Sequence, residues 1–184
     1  MSEVDDLLKA YERQVCLPWD NKLSGSEKVW FVVYDPAQER RLRFRMGDFQ
    51  NTTRQAGHGW LHLDLTDAFA TWMAAHRYKE SYFETPDDME PALKDFSEMV
   101  VTQINGLLGT AEAGEQDVVA ISGLASLFGL TRASAVFEKV TSSIRGRLIV
   151  FFPGQHDGSN YRLLDARDGW NYLAIPITSK KGTD

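Results

Sequence analysis

Residues 29–34 read VWFVVY, an unbroken run of β-branched and aromatic residues, and three further runs of the same kind follow. They are DVVAIS at 117–122, RLIVFF at 147–152 and YLAIPI at 172–177, while WLHLDL at 60–65 is a more mixed fifth segment. A strand with no polar alternation has no solvent face, so it belongs inside a sheet covered on both sides. Helical patterns separate the first four segments, and strands joined by helices favour parallel pairing with right-handed crossovers. The expected fold is therefore α/β: a single three-layer domain with a mostly parallel sheet of about five strands flanked by helices. The last connection, PGQHDGSNYRLLDARDGWN, has no helical period, which leaves the fifth strand free to be parallel or antiparallel.

Between the strands the apolar spacing changes to that of helices. Val4, Leu7, Leu8, Tyr11 and Val15 share one face of an N-terminal helix within residues 1–16. Asp35 as N-cap, Pro36 in the first helical position and Gln38 soon after mark a second start. The helix that follows directs Leu42, Met46, Phe49 and Ala56 inward and Arg40, Arg41, Arg43 and Arg45 mostly away. DAFATWMAAHR groups Ala68, Phe69, Trp72, Met73 and His76, and YFETPDDME reads as a loop. The longest helix carries Phe96, Met99, Val100, Ile104 and Leu107 and ends at Gly109. GLASLFGL reads as a loop or short turn and RASAVFEKVTSS as a further helix. With 184 residues and no repeat or linker, one domain over 1–184 is expected, with 179–184 as a flexible tail.

A formal net charge of −6 opposes a whole-surface grip on nucleic acid, though not a local basic patch. The single cysteine, Cys16, cannot form an intrachain disulfide. The acidic start MSEVDDLLKAYE lacks the basic flank and apolar run of a signal peptide, and no stretch is apolar enough to span a membrane. A cytoplasmic protein is expected.

Sites at the carboxyl ends of the strands fall near Asp35, Asp64, Gly123 and Pro153-Gly154. A phosphate-binding loop after the first strand needs glycines, a lysine and a hydroxyl, whereas this chain has YDPAQERR, whose proline removes a donor and whose aspartate repels phosphate. DVVAIS lacks a terminal acidic pair for magnesium, and no GxGxxG is present. His58 and His62 sit four apart in a strand-like segment, roughly 13 Å along an extended chain, too far to share a metal with bonds of about 2 Å. His58 is expected in a turn, His62 as a partly buried strand residue, and His76 as a complement to a helix dipole. Ser126 lies outside any GxSxG, and a packed thiol is expected for Cys16. Asp157, Asp165 and Asp168 do not follow the calcium-loop spacing and fit turn-shaping roles. No catalytic residue, metal or cofactor emerges.

Two features point to recognition. ERRLRFR concentrates arginines, read first as a solvated, salt-bridged helix face, and otherwise as a basic patch for a partner or a nucleic-acid backbone. Trp19, Tyr82, Phe83, Tyr161 and Trp170 sit near turns, where aromatics serve interfaces as anchors.

The segment RLIVFFPGQHDGSNYRLLDARDGWNYLAIPI resembles the C-terminal signature of the BrxB family of bacterial BREX phage-exclusion loci. It carries Phe151-Phe152-Pro153-Gly154, the Asp157-Gly158 step, Leu163 and the closing Asn171-Tyr172. VWFVVYDP and SGLASLFGLTRAS are similar to the family as well, so the likeness runs from about residue 20 to 178. The resemblance implies a small cytoplasmic accessory protein of anti-phage defence, acting beside a PglZ-type protein of the alkaline-phosphatase superfamily, an ATPase and a DNA methyltransferase. It transfers no catalytic residue. Pro153-Gly154 is expected to end the fourth strand sharply. Asp35, Pro153, Gly154, Asp157, Gly158, Tyr161 and Arg162 are expected to form a rim for the PglZ-type partner, with DNA contacted only weakly. Two alternatives remain: a nucleotide- or small-ligand-sensing domain using the strand-end loops through Asp35, Asp157 and Arg162, and an accessory DNA contact through Arg40, Arg41, Arg43 and Arg45.

Overall fold

A computed structural model of the chain describes residues 2–167 and 169–180. Its elements in order are α1 (Glu3–Val15), β1 (Val29–Tyr34), α2 (Glu39–Phe44), α3 (Met46–Gln55), β2 (Gly59–Asp64), α4 (Ala68–Ala75), α5 (Lys79–Glu84), α6 (Leu93–Leu108), β3 (Asp117–Ser122), α7 (Ala133–Val140), β4 (Arg147–Asp157), β5 (Asn160–Leu163), β6 (Trp170–Asn171) and β7 (Ile175–Ile177). Five strands run parallel in the order β2-β3-β4-β1-β7. The last strand, undecided from sequence, is thus parallel to its neighbour β1.

Three of the uninterrupted runs, β3, β4 and β1, occupy the centre for the reason that made them legible, both of their faces being covered, whereas YLAIPI supplies the edge strand β7. Odd residues of β1 (Val29, Phe31, Val33) and even residues of β4 (Leu148, Val150, Phe152) pack into one core with α6 and α7. Trp30, Val32 and Tyr34, with Ile149 and Phe151, pack into a second core with α1 and α3. The capping signals at Asp35 and Gly109 hold, and a cap not expected from the sequence joins them. The Ser2 hydroxyl and the Asp5 carboxylate form a reciprocal box at the start of α1. Asp35 accepts from the Ala37 amide and caps a 3-10 turn that leads into α2. Gly109 caps α6.

Three expectations are corrected. The segment read as a loop at YFETPDDME instead takes in the end of α5 and most of a 3-10 helix over Pro86–Ala92. Cys16 is exposed rather than packed, because Val15 is the last inward residue of α1 and Cys16 caps it. Pro153-Gly154 does not end the fourth strand: β4 continues to Asp157 and changes partner there. Up to Pro153 it pairs parallel with β1, and from Gly154 it pairs antiparallel with β5. The Pro153 carbonyl accepts from the Leu164 amide at 2.8 Å. A Cβ on Gly154 would lie 2.1 Å from the Arg162 carbonyl oxygen, so only glycine admits β5 there. Asp157-Gly158 does turn the chain, with Gly158 at φ +56° in a two-residue hairpin loop.

The expected tail at 179–184 falls mostly outside the described residues; Ser179 and Lys180 are described. No helix among the described residues is long and apolar enough to cross a membrane. Gly154→Ala should cost about 2–3 kcal/mol, because the β4–β5 backbones must separate. Gly47→Ala, inside α3 with nothing within 4 Å of the new methyl group, should instead gain about 0.5–1 kcal/mol. Urea denaturation of the two variants checks both signs.

Candidate functional site

The chain leaves β1 toward the α1/α3 face. It leaves the adjacent β4 toward the opposite face, where Tyr161 of β5 enters the α6/α7 core. Such a divergence opens a crevice outside the carboxyl ends of the two strands, and a cavity of about 710 Å³ lies there. Its walls include Glu3, Asp35, Gln155, His156, Leu164 and Thr178. The amide groups that could greet an anion are already satisfied internally. Asp35 N–H donates to the Glu3 carboxylate at 3.1 Å, and Ala37 N–H donates to the Asp35 carboxylate at 2.9 Å. Leu164 holds φ at +52°, unusual for a bulky residue.

A second concavity, of about 350 Å³, lies beside the hairpin. Its floor is Tyr161, Leu163 and Trp170, and its far wall is the turn from Phe128 into α7. Phe128 is 45% exposed, and Arg132 and Arg167 stand exposed at the rim. Tyr161, expected as an exposed anchor, is a floor residue only 1% exposed. Alternation along β5 turns it inward, its hydroxyl donates to the Ala174 carbonyl at 2.8 Å, and burial pushes its ionisation up to about 12. Pro153 and Gly154 are buried too, whereas Asp35, Asp157, Gly158 and Arg162 are exposed. The expected rim therefore divides. Asp35 and Gly154 belong to the crevice, Tyr161 to the groove floor, and Arg162 projects from the hairpin opposite Gln155.

The other aromatics expected near the surface also sort by environment. Trp19 stacks on His58 with ring centroids 3.6 Å apart, and the Arg147 guanidinium lies 4.8 Å from the Trp19 ring and 5.9 Å from that of Trp30. Trp170 packs against the core, Tyr82 is half-buried and Phe83 is exposed. Sequence reading missed Phe128, Arg132 and Arg167 altogether. Their only signal was a run of turn residues bringing an apolar and a basic side chain together.

Half of the basic cluster is neutralised. Arg43 pairs with Glu39 at 2.9 Å and with Asp64 at 3.0 Å, and it also donates to the Thr66 hydroxyl. Arg45 pairs with Asp5 at 2.5 Å and with Asp48. Arg40 and Arg41 remain exposed. Two of the four expected arginines are thus spent on bracing α2 and α3 against the strand ends and α1. Nearby, His62 Nε2 lies 2.7 Å from the Ser122 hydroxyl. Burial holds the imidazole below its ordinary value. Ser122 is buried and lines neither cavity, so this contact ties β2 to β3. His58 Nδ1 meets the Gln116 carbonyl at 2.8 Å. Ser126 donates to backbone carbonyls, at 2.8 Å for Leu65. His76 caps α4. Among the described residues no group of three or more His, Cys, Asp or Glu is placed to hold a metal ion.

Burial alone would raise the Asp64 carboxyl, but hydrogen bonds from Thr66 and Arg43 outweigh it and hold the group at about 2. An unfolded aspartate titrates near ~3.9. The contribution is therefore full above that value and disappears as pH falls through about 2. Asp64→Asn should lower the melting temperature above pH ~4, with the gap from wild type closing as pH falls toward 2. A gap constant from pH ~7 to ~2 would contradict the pairing.

Comparison with curated proteins and with solved structures finds no match. A family model described as BREX protein BrxB matches residues 61–177, which run from within β2 to the end of β7 and include both walls of the groove and the whole hairpin. That span is more than half of the chain, and it contains the partner-switching β4 and its Phe-Phe-Pro-Gly hinge. The chain belongs to the BrxB family and so to BREX anti-phage defence.

Proposed function

We propose that the protein is a non-catalytic assembly subunit of a BREX-type complex, and that it binds a PglZ-type protein in the groove between the β4–β5 hairpin and the start of α7. The observation that carries this reading is the composition of that groove. An exposed phenylalanine, Phe128, stands over an aromatic floor, with Arg132 and Arg167 at the edge. Aromatic anchors ringed by arginine are the pattern of interface hot spots. The complementary surface is an apolar residue flanked by carboxylates. An ATPase and a methyltransferase of the same system are proposed as further members of the assembly, and the cytoplasm as its location.

The crevice supports a second reading, a domain that senses a small ligand, because it lies where the chain diverges and is large enough for one. Its two carboxylates, Glu3 and Asp35, oppose phosphate-bearing ligands, and Lys180 is the lysine among the described lining residues. A nucleotide that raised the melting temperature by mass action would favour this reading over the first. DNA contact is the least supported reading, since Arg43 and Arg45 are paired.

Co-expression with the neighbouring PglZ-type protein, followed by size-exclusion chromatography and calorimetry, tests the proposal. Phe128→Ala and Arg132→Glu should each weaken the complex about tenfold or more while leaving the melting temperature of the free protein unchanged. Separate elution of the wild-type proteins, or affinity untouched by both substitutions, would overturn it. Tyr161 is unsuitable for this test, because its replacement opens the core.

A further inference from the structure

The formal net charge of −6 comes from one place. Residues 80–98 hold seven carboxylates and one lysine, a net charge equal to that of the entire chain, so the remainder is neutral. All seven acids (Glu80, Glu84, Asp87, Asp88, Glu90, Asp95 and Glu98) are exposed, and none forms an ion pair among the described residues. This differs from α2 and α3, where arginine and carboxylate neutralise each other.

The same excursion, α5 with its following 3-10 helix, also leaves large apolar surface uncovered. Phe83 is 64% exposed and Tyr78 48% exposed. Half-buried His76 and Tyr82 lie beside Tyr78, with centroids 6.0 Å and 6.4 Å from its ring. Tyr78 already accepts a cation: the Arg77 guanidinium lies 4.4 Å from its ring centroid. Carboxylates alone would be a solvated charge run. Carboxylates around exposed aromatic rings, one of them carrying a guanidinium, form a surface selective for a cationic partner with apolar residues.

We propose that α5 and the Pro86–Ala92 turn form a second docking face, which takes a basic protein segment carrying arginines around an apolar residue. The apolar residue would cover Phe83, and the arginines would meet Glu84, Asp87 and Asp88 and stack on Tyr78. A second copy of this chain could offer Phe128 with Arg132 and Arg167, but these edge a concave groove rather than project as a segment, so self-association is an outcome that the test separates from binding of a basic segment. Nucleic acid is repelled by the same charge. The proposal is independent of which protein occupies the groove beside the hairpin, and it gives an assembly subunit the two separate faces that bridging requires.

The probe is a synthetic amphipathic helix with leucine on one face and arginine on the other, together with a version in which glutamine replaces every arginine. Both are titrated into the full chain at physiological salt, with backbone amide shifts as the readout. The arginine peptide should bind with shifts concentrated on residues 76–98, and about tenfold more tightly than the glutamine version. Phe83→Ser should weaken it about fivefold or more, and the combined Glu84→Gln, Asp87→Asn, Asp88→Asn variant about tenfold. Three outcomes would overturn the proposal. They are shifts centred on the groove or crevice, affinity unaffected by Phe83→Ser (bare charge attraction), and self-association of the chain that the peptide does not displace.

Discussion

Phe31, in the middle of β1, is the contact through which the sheet and the C-terminal extension become one structure. Its ring lies 4.6–5.9 Å from those of Phe137, Phe152, Tyr161, Trp170 and Tyr172. These come from α7, β4, β5, β6 and the residue just after β6. Rings so disposed bury large areas and add edge-to-face and stacked contacts worth roughly 0.5–1.5 kcal/mol each beyond burial. The short strands β5 and β6, too small to be stable alone, are held because Tyr161 and Trp170 dip into this cluster. The hairpin side of the groove is anchored through this cluster by Tyr161 and Trp170.

The three central parallel strands were legible because burial on both faces forces a continuous apolar run, and the edge strands β2 and β7 showed as shorter or more mixed segments. The helices were legible from spacing and caps, as at Asp35 and Gly109. The extension was not. NYRL carries two polar residues in four, and only its pairing partner reveals that Tyr161 and Leu163 face inward while Asn160 and Arg162 do not. Pro153-Gly154 imitated a strand end because proline and glycine usually punctuate strands; here they mark the passage from a parallel to an antiparallel neighbour. Arg147 heads an apolar run and is itself only 3% exposed, bridged by two tryptophans that sequence distance hides. The crevice drew Glu3 and Thr178 from opposite ends of the chain, which no local pattern could signal.

Charge follows an equally physical division of labour. Arginines near the strand ends are paired and serve the fold, with the Asp5–Arg45 and Asp64–Arg43 contacts fixing α2 and α3. The net negative charge is collected on residues 80–98, whereas the hairpin groove has an arginine rim. Under the proposed reading, the molecule has two faces of opposite preference, one for carboxylate-bearing partners and one for cationic ones, as joining different proteins requires.

Hydrogen–deuterium exchange of the chain, alone and with the proposed PglZ-type partner, tests the central claim most directly. The account predicts slowed exchange confined to the Phe128–Ser134 turn and to the hairpin and connection around Tyr161–Trp170, with the crevice at Asp35 and Thr178 unchanged. Protection centred on the crevice, or none anywhere at saturating partner, would contradict it.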